Sequence, residues 1–206
     1  MQSKIDNQTE PATYINKCKM IDKRYPKEVV LKDHSEVLLR PLEEGDKELF
    51  VRFFKELPLK NRWYLNENPC DSAVIAKWIQ NQKIGKTFCV LALFEKQIVG
   101  HASLLMRLYG GRKHVGHLRL MVAPDFRNQQ LGTWLIFDII RRAMDFGLEK
   151  IRTDFVIGVE DMAIQGVRRL DFIKEGLLKD YIKDEQGNYY DYLIMVKHLH
   201  HGWSDF

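Results

Sequence analysis

The sequence is poor in the features that would mark a secreted, membrane-spanning or nucleic-acid-binding chain. Its three cysteines, Cys18, Cys70 and Cys89, are widely spaced over 206 residues and form no C-x-x-C pair. That argues against a disulfide framework or a thiolate zinc site and fits a reducing compartment. No apolar run approaches the length that spans a bilayer, and Met1 to Glu10 lacks the apolar stretch of a signal peptide. Charge of one sign is also scarce: 32 Lys and Arg against 28 Asp and Glu leave a formal charge of +4. This bias favours a small anionic ligand but is too weak for a nucleic-acid surface, and no Lys/Arg stripe interleaved with aromatics is present. The expectation is a cytoplasmic protein that engages neither membrane nor nucleic acid, as a monomer or a homodimer.

What is present suits one globular core: 45% hydrophobic and 29% charged residues in a chain short for two domains. Residues 1–28 are polar and read as an N-terminal extension, 29–199 as the folded domain and 200–206 as a C-terminal tail. His198, His200 and His201 lie close together without acidic or thiol partners and read as part of a solvated tail, so no metal is expected.

Within 29–199, strand and helix patterns alternate. Val37 to Pro41 reads as a strand stopped by proline. Leu49, Phe50, Phe53, Phe54 and Leu57 have helical spacing over Leu42 to Leu57. A second helix is predicted around Ala73 to Asn81. Strands follow over Thr87 to Phe94, Ile98 to Tyr109 and His114 to Val122, joined by turns at Lys96-Gln97 and Gly110 to Lys113. A helix from about Gly132 to Phe146 follows, with Gly147 as its C-terminal cap. The pattern closes with a strand over Ile151 to Ile157, a helix over Asp161 to Leu170, and a hairpin of Ile173 to Lys183 with Tyr189 to His198. The fold class is α+β.

The informative stretch runs from Leu118 to Leu135: a strand, a turn at Pro124, a polar loop and an apolar-faced helix. A loop opening a helix presents free N–H groups and the positive end of the helix dipole, which together suit a pyrophosphate. Arg127 adds a cation, Thr133 a hydroxyl, and Gly132 leaves out a Cβ. The same stretch also reads as a plain strand-turn-helix connection with Arg127 in solvent.

Val122-x-Pro124 followed by Arg127-x-x-Gln130-x-Gly132, the Leu39-Arg40-Pro41 strand, and Leu170-Asp171-Phe172-Ile173-Lys174-Glu175-Gly176 together resemble the GNAT acyltransferase superfamily over roughly Val29 to Leu199. The resemblance implies a mostly antiparallel, twisted sheet of about six or seven strands flanked by helices, with a splayed central parallel pair. It implies acetyl-CoA as co-substrate and an amine acceptor, either a small molecule or a protein lysine or N-terminus, attacking directly in a ternary complex. Backbone groups of Leu120, Met121 and Val122 would bond the pantetheine arm. The amides of Arg127, Asn128, Gln129, Gln130, Leu131, Gly132 and Thr133 would cradle the pyrophosphate.

The chain departs from the family pattern at several positions. Gln130 replaces a glycine or alanine, Asp171 a glycine, and Glu160 an asparagine. Val167 stands where many members have a tyrosine acid, and Phe155 where some have a glutamate base. Substitutes for the missing pair are His117, Glu160 and Asp154, the last expected to point to the face opposite Phe155. Tyr109 and Tyr181 are phenols in reach by sequence, and positioning alone is a further route. Trp63 and Tyr64, between the first two helices, line the acceptor side or close the core. A non-catalytic acyl-CoA sensor on the same fold is the alternative function.

Overall fold

The computed structural model describes residues 24–199. The tail with His200 and His201, Cys18 and most of the expected extension lie outside the described residues. The strands are β1 (Lys27–Val30), β2 (Glu36–Pro41), β3 (Thr87–Phe94), β4 (Gln97–Leu105), β5 (Val115–Val122), β6 (Lys150–Val156), β7 (Ile173–Lys183) and β8 (Tyr189–His198). The helices are α1 (Lys47–Glu56), α2 (Ser72–Lys83), α3 (Leu131–Asp145) and α4 (Asp161–Arg168). All strands join one 8-stranded sheet in the order β1-β2-β3-β4-β5-β6-β8-β7, in which only β5 and β6 pair in parallel. The fold is therefore the α+β sheet with a central parallel pair that the resemblance implied, with one strand more than expected. The addition is β1, a short edge strand paired with β2.

Each face of the sheet carries its own apolar layer. On one side Phe50, Phe53 and Phe54 of α1 and Ile75 and Ile79 of α2 pack on Leu91, Leu93 and Met121. The i, i+3, i+4 spacing of the three phenylalanines puts them on one helical face. On the other side Leu131, Leu135, Ile136 and Ile139 of α3 and Ile164 and Val167 of α4 cover Leu104, Leu118, Ile151 and Phe155. Gly147, at φ 74, ends α3: its N–H bonds the Met144 carbonyl and the Leu148 N–H bonds the Ala143 carbonyl, the paired bonds of a left-handed cap. A β-branched or bulky residue would be strained there. No helix among the described residues is long and apolar enough to cross a membrane.

The parallel pair is brief. Val115 pairs with Lys150, Gly116 with Ile151 and His117 with Arg152, and no pairing continues beyond. From Leu118 onward β5 stays with β4 while β6 stays with β8, so the strands part and leave a wedge-shaped gap. The vertex is closely packed: a Cβ built on Gly116 would lie 2.5 Å from Leu104 Cδ1 and 2.8 Å from Leu148 Cδ1, both fully buried residues. Replacing Gly116 with alanine should therefore cost about 1–2 kcal/mol through overpacking, read as a lowered urea midpoint. An unchanged midpoint would show that the two leucines yield freely.

Candidate active site

The polarity of the gap follows from two bonds at opposite ends of β5. The Ala123 N–H donates to the Val99 carbonyl at 2.8 Å, so odd-numbered residues turn their backbone groups toward β4. The His114 carbonyl accepts from Glu149 and Lys150, on the β6 side. Beyond His117, the even-numbered residues therefore direct N–H and C=O into the gap. These are Leu120 and Val122, whereas the backbone groups of Met121 face β4. The Val122 carbonyl accepts from Arg127 Nε at 3.1 Å.

In the loop leading into α3 two carbonyls are used, the Arg127 N–H bonds the Pro124 carbonyl at 3.2 Å and so drops out of the expected cradle, and the amides after it are unused. The Gln129 carbonyl accepts from Lys32 N–H at 3.3 Å and the Gln130 carbonyl from Trp134 N–H at 3.1 Å. Among the described residues no acceptor takes the N–H groups of Asn128 through Thr133. Asn128 at φ 61 and Gln130 at φ 69 alternate with right-handed or extended neighbours, the backbone pattern that gathers N–H groups into an anion-binding concavity. Gln130 is exposed, so its side chain leaves the loop uncrowded, but it occupies a conformation that glycine adopts freely. A Cβ on Gly132 would lie 3.5 Å from Leu120 Cδ2 and 4.0 Å from Val122 Cγ2. The space this glycine leaves is thus between α3 and β5, beside the gap.

The three residues proposed to replace the missing acid–base pair converge on the α1–α2 face. Ile151 and Phe155 point into the α3–α4 core, so strand alternation turns Arg152 and Asp154 the other way. Asp154 has a nearly buried side chain, 5% exposed, and collects His117 Nε2 at 3.3 Å, Arg152 at 2.7 and 2.9 Å, and the Tyr192 hydroxyl at 3.3 Å. Burial raises its pKa, but the hydrogen bonds and charges of His117 and Arg152 outweigh that and hold the carboxyl below its ordinary range. Glu160, half-buried between β6 and α4, accepts from the Val156 N–H at 2.8 Å and lies beside the Tyr64 phenol. Burial dominates here, opposed by the Val156 bond and the Tyr64 phenol and assisted by the charge of Asp154, and lifts its pKa to about 7. The Tyr64 phenol is pushed up by burial and by Glu160.

The segment between α1 and α2 closes this side. Trp63 packs on Tyr64 and on Tyr190 of β8, with ring centroids 5.6 and 5.4 Å apart. The Asn61 amide oxygen accepts from Arg127 at 3.2 and 3.3 Å. The same loop therefore touches the candidate anion site and Glu160. Val167 lies in the α4 core, 2% exposed, and offers no proton. Tyr109, 93% exposed at the Gly110 turn, stands apart from the cluster; Tyr181 stacks on Tyr192 at 5.6 Å. Tyr192, Arg152 and Tyr190 were not singled out from sequence. The available signal was the alternation of β8, which sets Tyr190 and Tyr192 opposite the core residues Leu193 and Met195. Among the described residues no group of three or more His, Cys, Asp or Glu is arranged to hold a metal ion.

Comparisons with known proteins bear on the family and the fold. The model of the acetyltransferase (GNAT) family matches residues 49–164, more than half of the chain, and the chain belongs to that family. A ribosomal-protein-alanine N-acetyltransferase from Brucella melitensis superposes with a TM-score of 0.69 at 24% identity, covering 79% of this chain and 99% of that one. The yncA structure from Salmonella typhimurium, solved with its cofactor acetyl-CoA, gives 0.72 at 16% identity over 84% and 99%. The GNAT domain of S. lividans PAT gives 0.72 at 11% identity over 86% and 99%. At these identities the likenesses establish the fold. No curated protein matches the sequence at a significant level.

The left-handed Gln130 generates a prediction. Gln130→Gly should raise stability by roughly 0.5–1 kcal/mol by removing the cost of a side chain at positive φ, with coenzyme A affinity within about twofold, since the loop amides are retained. Chemical denaturation and calorimetry measure both, and a fall in stability would mean that the Gln130 side chain supports the loop.

Proposed function

We propose that the protein is an N-acetyltransferase that moves the acetyl group of acetyl-CoA to a primary amine held on the α1–α2 face of the gap. The observation that carries this reading is a set of unused hydrogen-bonding groups: the amides of Asn128 to Thr133, then the gap-facing N–H and carbonyl of Leu120 and the N–H of Val122, whose carbonyl holds Arg127. Those amides, the dipole of α3 and the Arg127 guanidinium suit the pyrophosphate. Arg127 would then exchange its bond to Val122 for the phosphates, freeing that carbonyl for a pantetheine amide. Acetyl-CoA, when bound, supplies the activated thioester.

Glu160 is the proposed general base. A protonated amine has no lone pair, and a free alkylamine holds its proton to a pKa near 10, so a group must take the proton before nitrogen attacks the thioester carbon. A carboxylate with a pKa of about 7 is matched to that task near neutral pH. The Val156 N–H fixes its orientation, with the Tyr64 phenol beside it. Asp154, kept ionised, fixes His117 at the closed end of the gap. When the carbon–sulfur bond breaks, His117 is the side chain proposed to return a proton to the thiolate. The His117–Asp154 contact also favours a second reading, with His117 as the base.

Glu160→Gln should lower kcat by about 10²–10⁴-fold and remove the rise of activity with pH centred near pH 7. Loss of that rise in His117→Gln, with Glu160→Gln near wild type, would exchange the two roles. Acetyl-CoA binding without thiol release on any amine would favour the sensor alternative.

The raised pKa also has a stability consequence. The folded protein holds the Glu160 proton more tightly than the unfolded chain, so stability is fully present below the ordinary carboxylate range and declines as pH rises through about 7. Glu160→Gln should therefore stabilise the fold at pH 8 by on the order of 1–2 kcal/mol and by much less at pH 4.5. Equal denaturation midpoints for the two proteins at pH 8 would contradict the shift.

A further inference from the structure

The charged groups described so far on the acceptor face each have a protein partner. Glu67 accepts from Lys77 Nζ at 2.7 Å and from Trp78 Nε1 at 2.8 Å. Asp154, Arg152 and His117 form the network above, Glu160 holds the Val156 N–H, and Arg127 holds Val122 and Asn61. Arg119 is the exception. It stands on the gap-flanking part of β5, opposite Ser103 of β4 and two residues from His117 on the same face, which sets the two Cα atoms about 7 Å apart. It is half-buried and, among the described residues, takes part in no hydrogen bond or ion pair. Its neighbours do not neutralise it. His101 beneath it is held uncharged, its pKa pushed to about 3 by burial and by the Arg119 charge itself. The charge of Glu67, which Arg119 feels, is already shared with two donors.

A half-buried guanidinium whose N–H groups bond no protein acceptor is compensated only by water and by the attraction of Glu67. Arginine's planar fork matches a carboxylate or phosphate two-pronged. The group lies on the same face as Glu160, His117 and the open side of the gap.

We infer that Arg119 binds an anionic group on the acceptor, so that the substrate class is a small primary amine that also carries a carboxylate or phosphate. The amine lies toward Glu160 and the anion on Arg119. The inference rests on the transferase reading and fixes which amines that site accepts.

Matched pairs test it: β-alanine against β-alaninamide, and O-phosphoethanolamine against ethanolamine, each followed as thiol release from acetyl-CoA by the full chain. The charged member of at least one pair should have a kcat/KM at least tenfold above its neutral partner, and the pair that discriminates identifies the anion as carboxylate or phosphate. Arg119→Gln should abolish the preference by raising KM for the charged amine while leaving KM for acetyl-CoA unchanged. Arg119→Lys should retain part of it, and thermal melts show that both variants fold. Equal use of charged and neutral amines, a peptide lysine favoured over both, or a preference that survives Arg119→Gln would overturn the assignment and leave the transferase reading standing. Transfer to no amine of either kind would remove both.

Discussion

The site depends on where β5 and β6 stop bonding to each other. Parallel strands normally continue their ladder, because an unpaired backbone group shielded from water costs free energy comparable to a lost hydrogen bond. Here the ladder ends at His117 and Arg152, and each strand is held away from the other by its outer neighbour, β4 or β8. Gly116 permits close packing at the vertex, while α3 and α4 press on one face of both arms. The backbone groups of Leu120 and the Val122 N–H are thereby left unpaired on the gap, beside the amides that open α3.

The same separation determines the chemistry of the α1–α2 face. Asp154 and Glu160 come from neighbouring stretches of chain but sit in different environments. The first is surrounded by His117, Arg152 and Tyr192 and stays ionised; the second has a backbone amide and a phenol as partners, and burial lifts its pKa to about 7. Two carboxyls whose environments drive their pKa values apart can divide the work of orienting and proton transfer. The Pro58–Leu65 segment ties this arrangement to the loop that opens α3, since Tyr64 meets Glu160 and Asn61 meets Arg127.

Much of the fold was legible because local pattern and tertiary structure agree. Strands β3, β7 and β8 fall where the β-rich runs between turn residues placed them. Strand β1 was missed because four residues after Pro26 carry no local signal; pairing with β2, and the bonds of Tyr25 and Lys27 to Asp138, create it. In the site, the α3 loop was readable from its motif, and the exposure of Gln130 explains how a large residue stands in a glycine's place. Alternation along β6 indicated that Asp154 would oppose Phe155. It could not reveal that His117, Arg152 and Tyr192 meet it there, because the Tyr192 contact joins residues far apart in sequence. The partnership of Tyr64 with Glu160 was hidden for the same reason.

The most direct test of the central claim is to follow backbone amide exchange by NMR as coenzyme A is added at moderate salt. The amides of Asn128 to Thr133, together with Leu120 and Val122, should shift and gain protection, while that of Met121, already turned toward β4, should change little. Binding that leaves those amides unaffected, or no binding by a folded sample, would contradict the account.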